Sequence, residues 1–424
     1  MPRMVEPTSF SLGSARRGSA SRRLFSDVPA RRAADGSPRP RAAEFFAGIG
    51  LVRLAIEAAG FDVVFANDID PAKQKIYGDN YAIGDFLLGD IHKLSADSLP
   101  DCELFTASFP CNDLSVAGGQ SGLDGAQSSA FWGLIRILRE LGERRPSVVM
   151  LENVPGFLAS RGGVDFARAL TALNDLGYVV DAVMIDAARF VPQSRLRLFV
   201  VARRPTAVIP IHEARPSPSV FASDKRLEAS VLRPRALTEF IGRHPEIAWR
   251  LSELPDLPSD RRPRLRDVLE DLPDEDPAWW SEERVEYFMG QLSPRHAAEA
   301  ARMMAGKRVS YGTAFRRVRH GRSMAELRTD GIAGCLRTPR GGSGRQILFK
   351  AGRGRRQVRL LTARECARLQ GVPDSFVIDV PLNQALFGFG DAVCVPAVAW
   401  LARHYLLPAA RGALESLDHG RPSK

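Results

Sequence analysis

The sequence predicts an α/β fold: a doubly wound, mostly parallel sheet followed by a second, irregular domain. Three observations predict it. From Ala42 to Arg204 short apolar runs alternate with helix-spaced segments, the rhythm of strand–helix–strand units covered on both sheet faces. That rhythm stops after Arg204, where residues 205–355 turn rich in Pro, Arg and short acidic runs. It returns at Leu360, so a late segment is expected to complete the first domain. A chain of 424 residues has room for two such domains.

The elements follow in order. Residues 1–41 carry nine arginines and three acids among Ser, Pro and Ala, too little apolar material for a core, and read as a disordered basic tail rather than a transit peptide. Residues 42–204 form the expected first domain. Ala43–Phe46 reads as a strand, Gly48-Ile49-Gly50 as a tight turn, and the following helix ends near Gly60. Val63–Ala66 is a second strand, closed by the acidic cluster Asn67-Asp68-Ile69-Asp70. Leu104–Ala107, Val148–Leu151, Tyr178–Ile185 and Leu198–Ala202 are further strands. Phe131–Leu141 is a helix with Leu134, Ile135, Leu138 and Leu141 on one face. Residues 205–355 make the second domain, 356–408 the return segment with helices over Ala363–Leu369 and Val395–Tyr405, and 409–424 a polar tail.

Composition narrows the function. Apolar residues are 45% and charged residues 25% of the chain, as in ordinary globular domains. No run of 18 uninterrupted apolar residues occurs, so no membrane span is expected. Five scattered cysteines without a C-x-x-C pair argue against a disulfide scaffold or a four-cysteine metal site, and no metal is expected. The net charge is +10, and 52 of the 59 basic residues are arginine. Between Gly306 and Arg359, 15 basic residues face two acids, which points to a polyanionic partner. Arg337, Arg340 and Arg345, in the glycine-rich stretch Leu336–Arg345, are the candidates to contact nucleic acid.

Four motifs carry chemistry. Phe46-x-Gly48-x-Gly50 joins a strand to a helix N-terminus, with Asp68 and Asp90 at the next strand ends; a ribose acceptor and an adenine acceptor in that order suggest an adenosine-containing ligand. Pro110-Cys111 follows the strand Leu104–Ala107 and places one cysteine where a nucleophile would sit. The other cysteines, Cys102, Cys335, Cys366 and Cys394, read as structural. Glu152, in Glu152-Asn153-Val154, ends the neighbouring strand as a candidate acid. Gln193-Ser194-Arg195-Leu196-Arg197 leads into the last strand with both arginines on one face.

Taken jointly with Arg364-Glu365-Cys366-Ala367-Arg368-Leu369-Gln370-Gly371-Val372-Pro373 and Gly390-Asp391-Ala392-Val393, these motifs resemble the DNA cytosine-5 methyltransferase family of bacterial restriction-modification type. The resemblance covers residues 42–204 and roughly 356–407. It implies a Rossmann-like domain binding S-adenosylmethionine, with Phe46, Gly48, Gly50, Asp68, Ile69, Asp90, Ile91 and Asp391 as the cofactor set. It also implies Cys111 as nucleophile towards C6 of a flipped cytosine, Glu152 as the acid at N3, and Arg195 and Arg197 holding the nucleotide. Residues 205–355 would be the target-recognition region on double-stranded DNA. A cytoplasmic monomer and a companion restriction endonuclease acting on the same site are the expected setting; an RNA (tRNA) cytosine-5 methyltransferase on the same fold is the alternative. Asn112-Asp113 follow Cys111 where the family has Gln, and Asp391 stands where it has Asn.

Overall fold

The apolar runs assemble into one seven-stranded sheet in the computed structural model, which describes residues 36–81, 83–110, 122–125, 129–205, 228–259, 263–319, 321–339 and 344–412. Its strands are β1 (Arg41–Phe45), β2 (Asp62–Asp68), β3 (Phe86–Leu88), β4 (Leu104–Ala107), β5 (Val148–Asn153), β6 (Val179–Asp186) and β7 (Leu196–Arg203). The order is β3-β2-β1-β4-β5-β7-β6. β1 to β5 are parallel, and β7 is antiparallel to both β5 and β6. The order reverses between β1 and β4, the switch point where sheets of this kind open a crevice at the carboxyl ends of their strands.

Alternation along each strand feeds two cores. Ala42, Val63, Leu104 and Val148 face a cluster completed by the helices Leu51–Ala59 and Val395–Leu401. Ala43, Val64, Phe105 and Val149 face the helices Ala130–Leu141, Val164–Asn174 and Arg235–Arg243. The last of these lies beyond the boundary expected at Arg204. It belongs to a segment that runs beside β6, with Met184 N–H donating to the Leu232 carbonyl at 2.7 Å and Trp249 bridging Val180. Asp181, buried in β6, accepts from Arg233 at 2.8 Å, Ser252 N–H at 2.9 Å and Tyr405 Oη at 2.9 Å. The segment and the C-terminal helix are thereby tied to one strand.

The region without a readable rhythm contains a second sheet: β8 (Ser310–Arg319), β9 (Arg322–Arg328), β10 (Ile347–Gly352) and β11 (Arg355–Leu360), antiparallel in the order β11-β10-β8-β9. The helices Glu282–Met289 and Pro294–Ala305 accompany it, and Val285, Phe288, Ala314, Leu327 and Phe349 share its core. The expected boundary at residue 355 falls inside this sheet. β10 pairs with β8 only as far as Ala314, whereas β9 follows β8 to Arg319. The outer half of the β8–β9 hairpin is therefore a two-stranded ribbon that extends past the sheet.

The return segment starts at Thr362, whose hydroxyl accepts from Glu365 N–H while the Glu365 carboxylate accepts from Thr362 N–H at 2.9 Å, a reciprocal cap. Glu365 also receives both ends of the Arg359 guanidinium, at 2.7 and 2.5 Å, with both residues buried. Leu382–Ala410 is long and apolar enough to cross a bilayer by length and composition, yet 78% of its most apolar window is buried inside the protein.

Candidate active site

The carboxyl ends of β1, β2, β4 and β5 frame a cavity of about 390 Å³, with the start of β7 and the return segment as its other walls. Its floor begins with a sharp turn after β1. Phe46 (φ 55°) and Gly48 (φ 58°) are both left-handed, which lets the chain reverse and present backbone N–H groups. Gly48 N–H donates to Asp68 Oδ2 at 2.8 Å, and Asp70 N–H to Asp68 Oδ1 at 2.9 Å. The Asp68 carboxylate, at the end of β2, is held open to the cavity with lone pairs to spare. Ile69 is 67% exposed beside it, and Phe46 is half-buried opposite.

At the end of β5, Glu152 is buried and pairs through Oε1 with Arg197 Nε at 3.1 Å. The antiparallel course of β7 makes this contact. Asn153 lies opposite Leu198 in the register, so the first residues of β7 arrive at the sheet edge where the parallel strands end. Asn153 Nδ2 donates to the Phe109 carbonyl at 3.2 Å and fixes the root of the loop after β4. Pro110 lines the cavity with Glu152; Cys111, the expected nucleophile, lies outside the described residues, as does Arg340.

The remaining expected residues separate into two groups. Gly48, Asp68, Ile69, Phe46, Arg195, Arg197 and Asp391 line the cavity. Asp391 is paired with Lys73 at 2.8 Å; burial pushes that lysine down, but Asp391, Asp68 and Asp70 outweigh it and hold its ammonium above the usual range. Gly50, Asp90 and Ile91 are not among the lining residues. Gly50 is left-handed (φ 81°) and abuts Tyr81 and Tyr77, which a side chain there would strike. Asp90 accepts from His92 N–H at 2.9 Å, and Ile91 is buried against Gly133 of the helix Ala130–Leu141. Arg337 is exposed, and Arg345 donates to Asn383 of the return segment.

Arg195 is 2% exposed. Its guanidinium donates to the carbonyls of Leu336 (2.8 Å), Gly390 (3.1 Å) and Ala392, and reaches Cys335 Sγ at 3.4 Å. It is a strut joining the catalytic sheet to two distant segments. Burial, then the neighbouring Arg197, holds its pKa below the usual arginine range.

Residues 41–406 match the family model described as C-5 cytosine-specific DNA methylase. The chain belongs to that family. It is 30% identical over 369 residues to the Type II methyltransferase M.DsaV of Dactylococcopsis salina, covering 86% of this chain and 85% of the relative. It is 26% identical over 365 residues to the Type II methyltransferase M.HhaI of Haemophilus parahaemolyticus, covering 85% and 92%. The crystal structure of the S. pombe Dnmt2 methyltransferase shares the fold at a TM-score of 0.54 and 21% identity, over 87% of this chain and 98% of that one.

The methylase is thus an enzyme that methylates C5 of cytosine in DNA, and its late motifs acquire a physical role. Gln193, fully buried, donates to the Leu369 carbonyl at 2.8 Å and accepts from Leu336 N–H at 3.0 Å. Gln370 donates to the Phe389 carbonyl at 2.8 Å. Gly371 is left-handed (φ 75°) and abuts Pro396. In this DNA methylase these residues fasten the return segment against β7 and so form the far wall of the cavity. Sequence reasoning missed Asn153, Gln193 and Gln370 as struts, although all three stood inside the motifs.

Proposed function

We propose that the methylase takes its methyl group from S-adenosylmethionine and acts on a flipped cytosine through a covalent bond between Cys111 and C6. The observation that carries this reading is the Glu152–Arg197 pair in a cavity also walled by Pro110, the residue before Cys111. The cavity suits the cofactor. Its volume falls in the range of nucleoside-sized sites, Ile69 and Phe46 offer apolar surface for a purine, and Asp68 keeps acceptor capacity for ribose hydroxyls. When bound there, S-adenosylmethionine supplies an electrophilic methyl.

The chain's own residues do the rest. C5 of cytosine is a poor nucleophile, and C6 is shielded in a stacked duplex, so the base is extruded into the cavity. Cys111 thiolate adds to C6 while Glu152 holds a proton at N3, which makes C5 electron-rich. Loss of the C5 proton after methylation expels the thiolate. Arg197, at the Glu152 carboxylate, faces the base, and the nucleotide-holding role expected for Arg195 passes to Arg197 alone.

The recognition half reads the DNA through the projecting β8–β9 ribbon as well as through Arg337, Arg340 and Arg345. Val318 on that ribbon is 68% exposed, and Arg317 and Arg322 are exposed around it. A two-stranded ribbon fits the major groove. Phe315, at its root, lines a small cavity with Cys335 and Arg337. We infer a monomeric, cytoplasmic enzyme with a restriction-modification role and a companion endonuclease, because the relatives are Type II methyltransferases. The family match is to DNA methylases, so the RNA alternative is not adopted.

The test is trapping on duplex DNA containing 5-fluorocytosine, which blocks the final proton loss. The wild-type enzyme with S-adenosylmethionine should form a denaturation-resistant adduct, and Cys111→Ser should form none. An adduct with Cys111→Ser would overturn the assignment.

A further inference from the structure

The helix Pro71–Asn80 follows β2 almost at once. Asp70 caps it, accepting from Ala72 N–H at 2.9 Å, so Lys73 stands in its first turn. A helix N-terminus is electropositive and favours acids at that place. This first turn has no acid and carries a lysine instead. A local rule broken without a local gain points to function.

The gain lies in the cavity. Lys73 Nζ donates to Asp391 Oδ2 at 2.8 Å, a partner 318 positions away on the return segment. Both line the cavity that contains Asp68, and Asp68 and Asp70 add their charge around the same ammonium. Three carboxylates thus gather about one cation. Neither member of the pair is sealed off: the Lys73 side chain is 20% and that of Asp391 49% exposed. An ammonium has three donors and a carboxylate about four acceptor sites, so one mutual hydrogen bond leaves both with capacity. The other cations among the described lining residues are engaged elsewhere, Arg195 on the carbonyls of Leu336, Gly390 and Ala392 and Arg197 at Glu152.

We propose that Lys73 binds the carboxylate at the amino-acid end of the cofactor while Asp391 takes its ammonium, so that the pair recognises a zwitterion. The inference rests on the S-adenosylmethionine reading above and adds Lys73 to it. The α-amino acid of that cofactor presents an anion and a cation on one carbon, the complement of an ion pair whose members are both open. Without Lys73 the ligand carboxylate would meet Asp68, Asp70 and Asp391 alone, and like charges at close range repel. The aspartate at 391, where the family has Asn, is then one half of a compensated pair.

The test uses S-adenosylhomocysteine, which keeps the same amino-acid end and has no methyl to transfer, and its decarboxylated analogue. Both are titrated calorimetrically without DNA. Wild type should bind S-adenosylhomocysteine at least about tenfold more tightly, the lower end for a charge-assisted hydrogen bond in a pair open to solvent. Lys73→Met, which keeps the length and removes the charge, should lose about tenfold for S-adenosylhomocysteine and nothing for the decarboxylated analogue. Equal loss on both ligands would make the pair a staple between helix and return segment and overturn the proposal, as would no loss on either. Should Lys73→Met not fold, wild type and Lys73→Arg still decide: both should prefer S-adenosylhomocysteine, and equal affinity for the two ligands overturns the proposal. A wild-type enzyme that binds neither ligand sinks the cofactor reading itself, which is a different failure.

Discussion

Gly390→Ala should damage this enzyme far more than one added methyl suggests. Residue 390 lies where the return segment passes the recognition loop backbone to backbone. A Cβ there would stand 2.5 Å from Thr338 N, 2.6 Å from the Arg337 carbonyl carbon and 3.0 Å from its oxygen. Ordinary contact starts near 3.4 Å, so the two segments must part by roughly 0.8–0.9 Å, and no side chain can absorb the move. Overpacking of this kind costs about 1–3 kcal/mol. The parting also strains the 3.1 Å hydrogen bond from Arg195 to the Gly390 carbonyl, adding about 1 kcal/mol. Since a displacement of ~1 Å in a positioning wall can cost up to about a hundredfold in rate, kcat should fall between about ten- and a hundredfold. Thermal melting and steady-state methylation of duplex DNA provide the assay. Gly388→Ala is the control, because its Cβ would meet a side chain, Ile49 at 2.8 Å, and should cost less on both readouts. A Gly390→Ala enzyme with wild-type melting and wild-type kcat would refute the argument.

Other expectations follow from the same geometry. Asp68→Ala removes the proposed ribose acceptor and frees the Gly48 and Asp70 N–H groups, so cofactor affinity should weaken by about tenfold or more while kcat at saturating cofactor stays near normal; isothermal titration beside steady-state kinetics separates the two. Asp181→Ala leaves Arg233, itself 5% exposed, as an unpaired buried cation, and should cost about 3–5 kcal/mol by denaturant unfolding; a loss below about 1 kcal/mol contradicts the network. Glu44, fully buried in β1, has its carboxyl pushed by burial from 4.5 up to about 8, against the opposing pull of Arg53. The folded state therefore binds this proton more tightly than the unfolded chain. Its contribution is complete below about pH 4.5 and is lost as pH rises towards 8, at up to about 1.4 kcal/mol per pH unit. Glu44→Gln should flatten melting temperature against pH across that window, and an unchanged slope would show that another group sets it.

The strands around the site were legible because parallel, doubly covered strands are written as unbroken apolar runs, and Leu104–Ala107 coincides with its expected span. β8 was not legible. Arg316 and Arg317 interrupt its alternation, and its apolar partners, Val285 and Phe349, lie elsewhere in the chain. The segment around Arg235–Arg243 hid for a similar reason: what recruits it to the catalytic sheet is Asp181, more than fifty positions earlier. Within the site, motif spacing located Glu152, Asp68 and Arg197 because each stands at a strand end. Ile91 followed Asp90 in the motif, but the backbone turns it beneath a helix. Cys335 was read as structural; that it lies within reach of two arginines some 140 residues earlier is something nothing local marks.

Finally, the order of manufacture matters for a cavity whose far wall comprises Phe387, Gly388 and Gly390 to Val393. On the ribosome, those residues emerge after Cys111 and Glu152, the proposed nucleophile and acid, and after the proposed recognition half. A nascent or prematurely released chain ending at Pro381 carries all the proposed catalytic residues but lacks Phe387, Gly388 and Gly390 to Val393 of the cavity wall. Such a fragment should fail to bind a cofactor analogue, which equilibrium dialysis would show. The enzyme should therefore become active only once its synthesis has passed the proposed DNA-reading half.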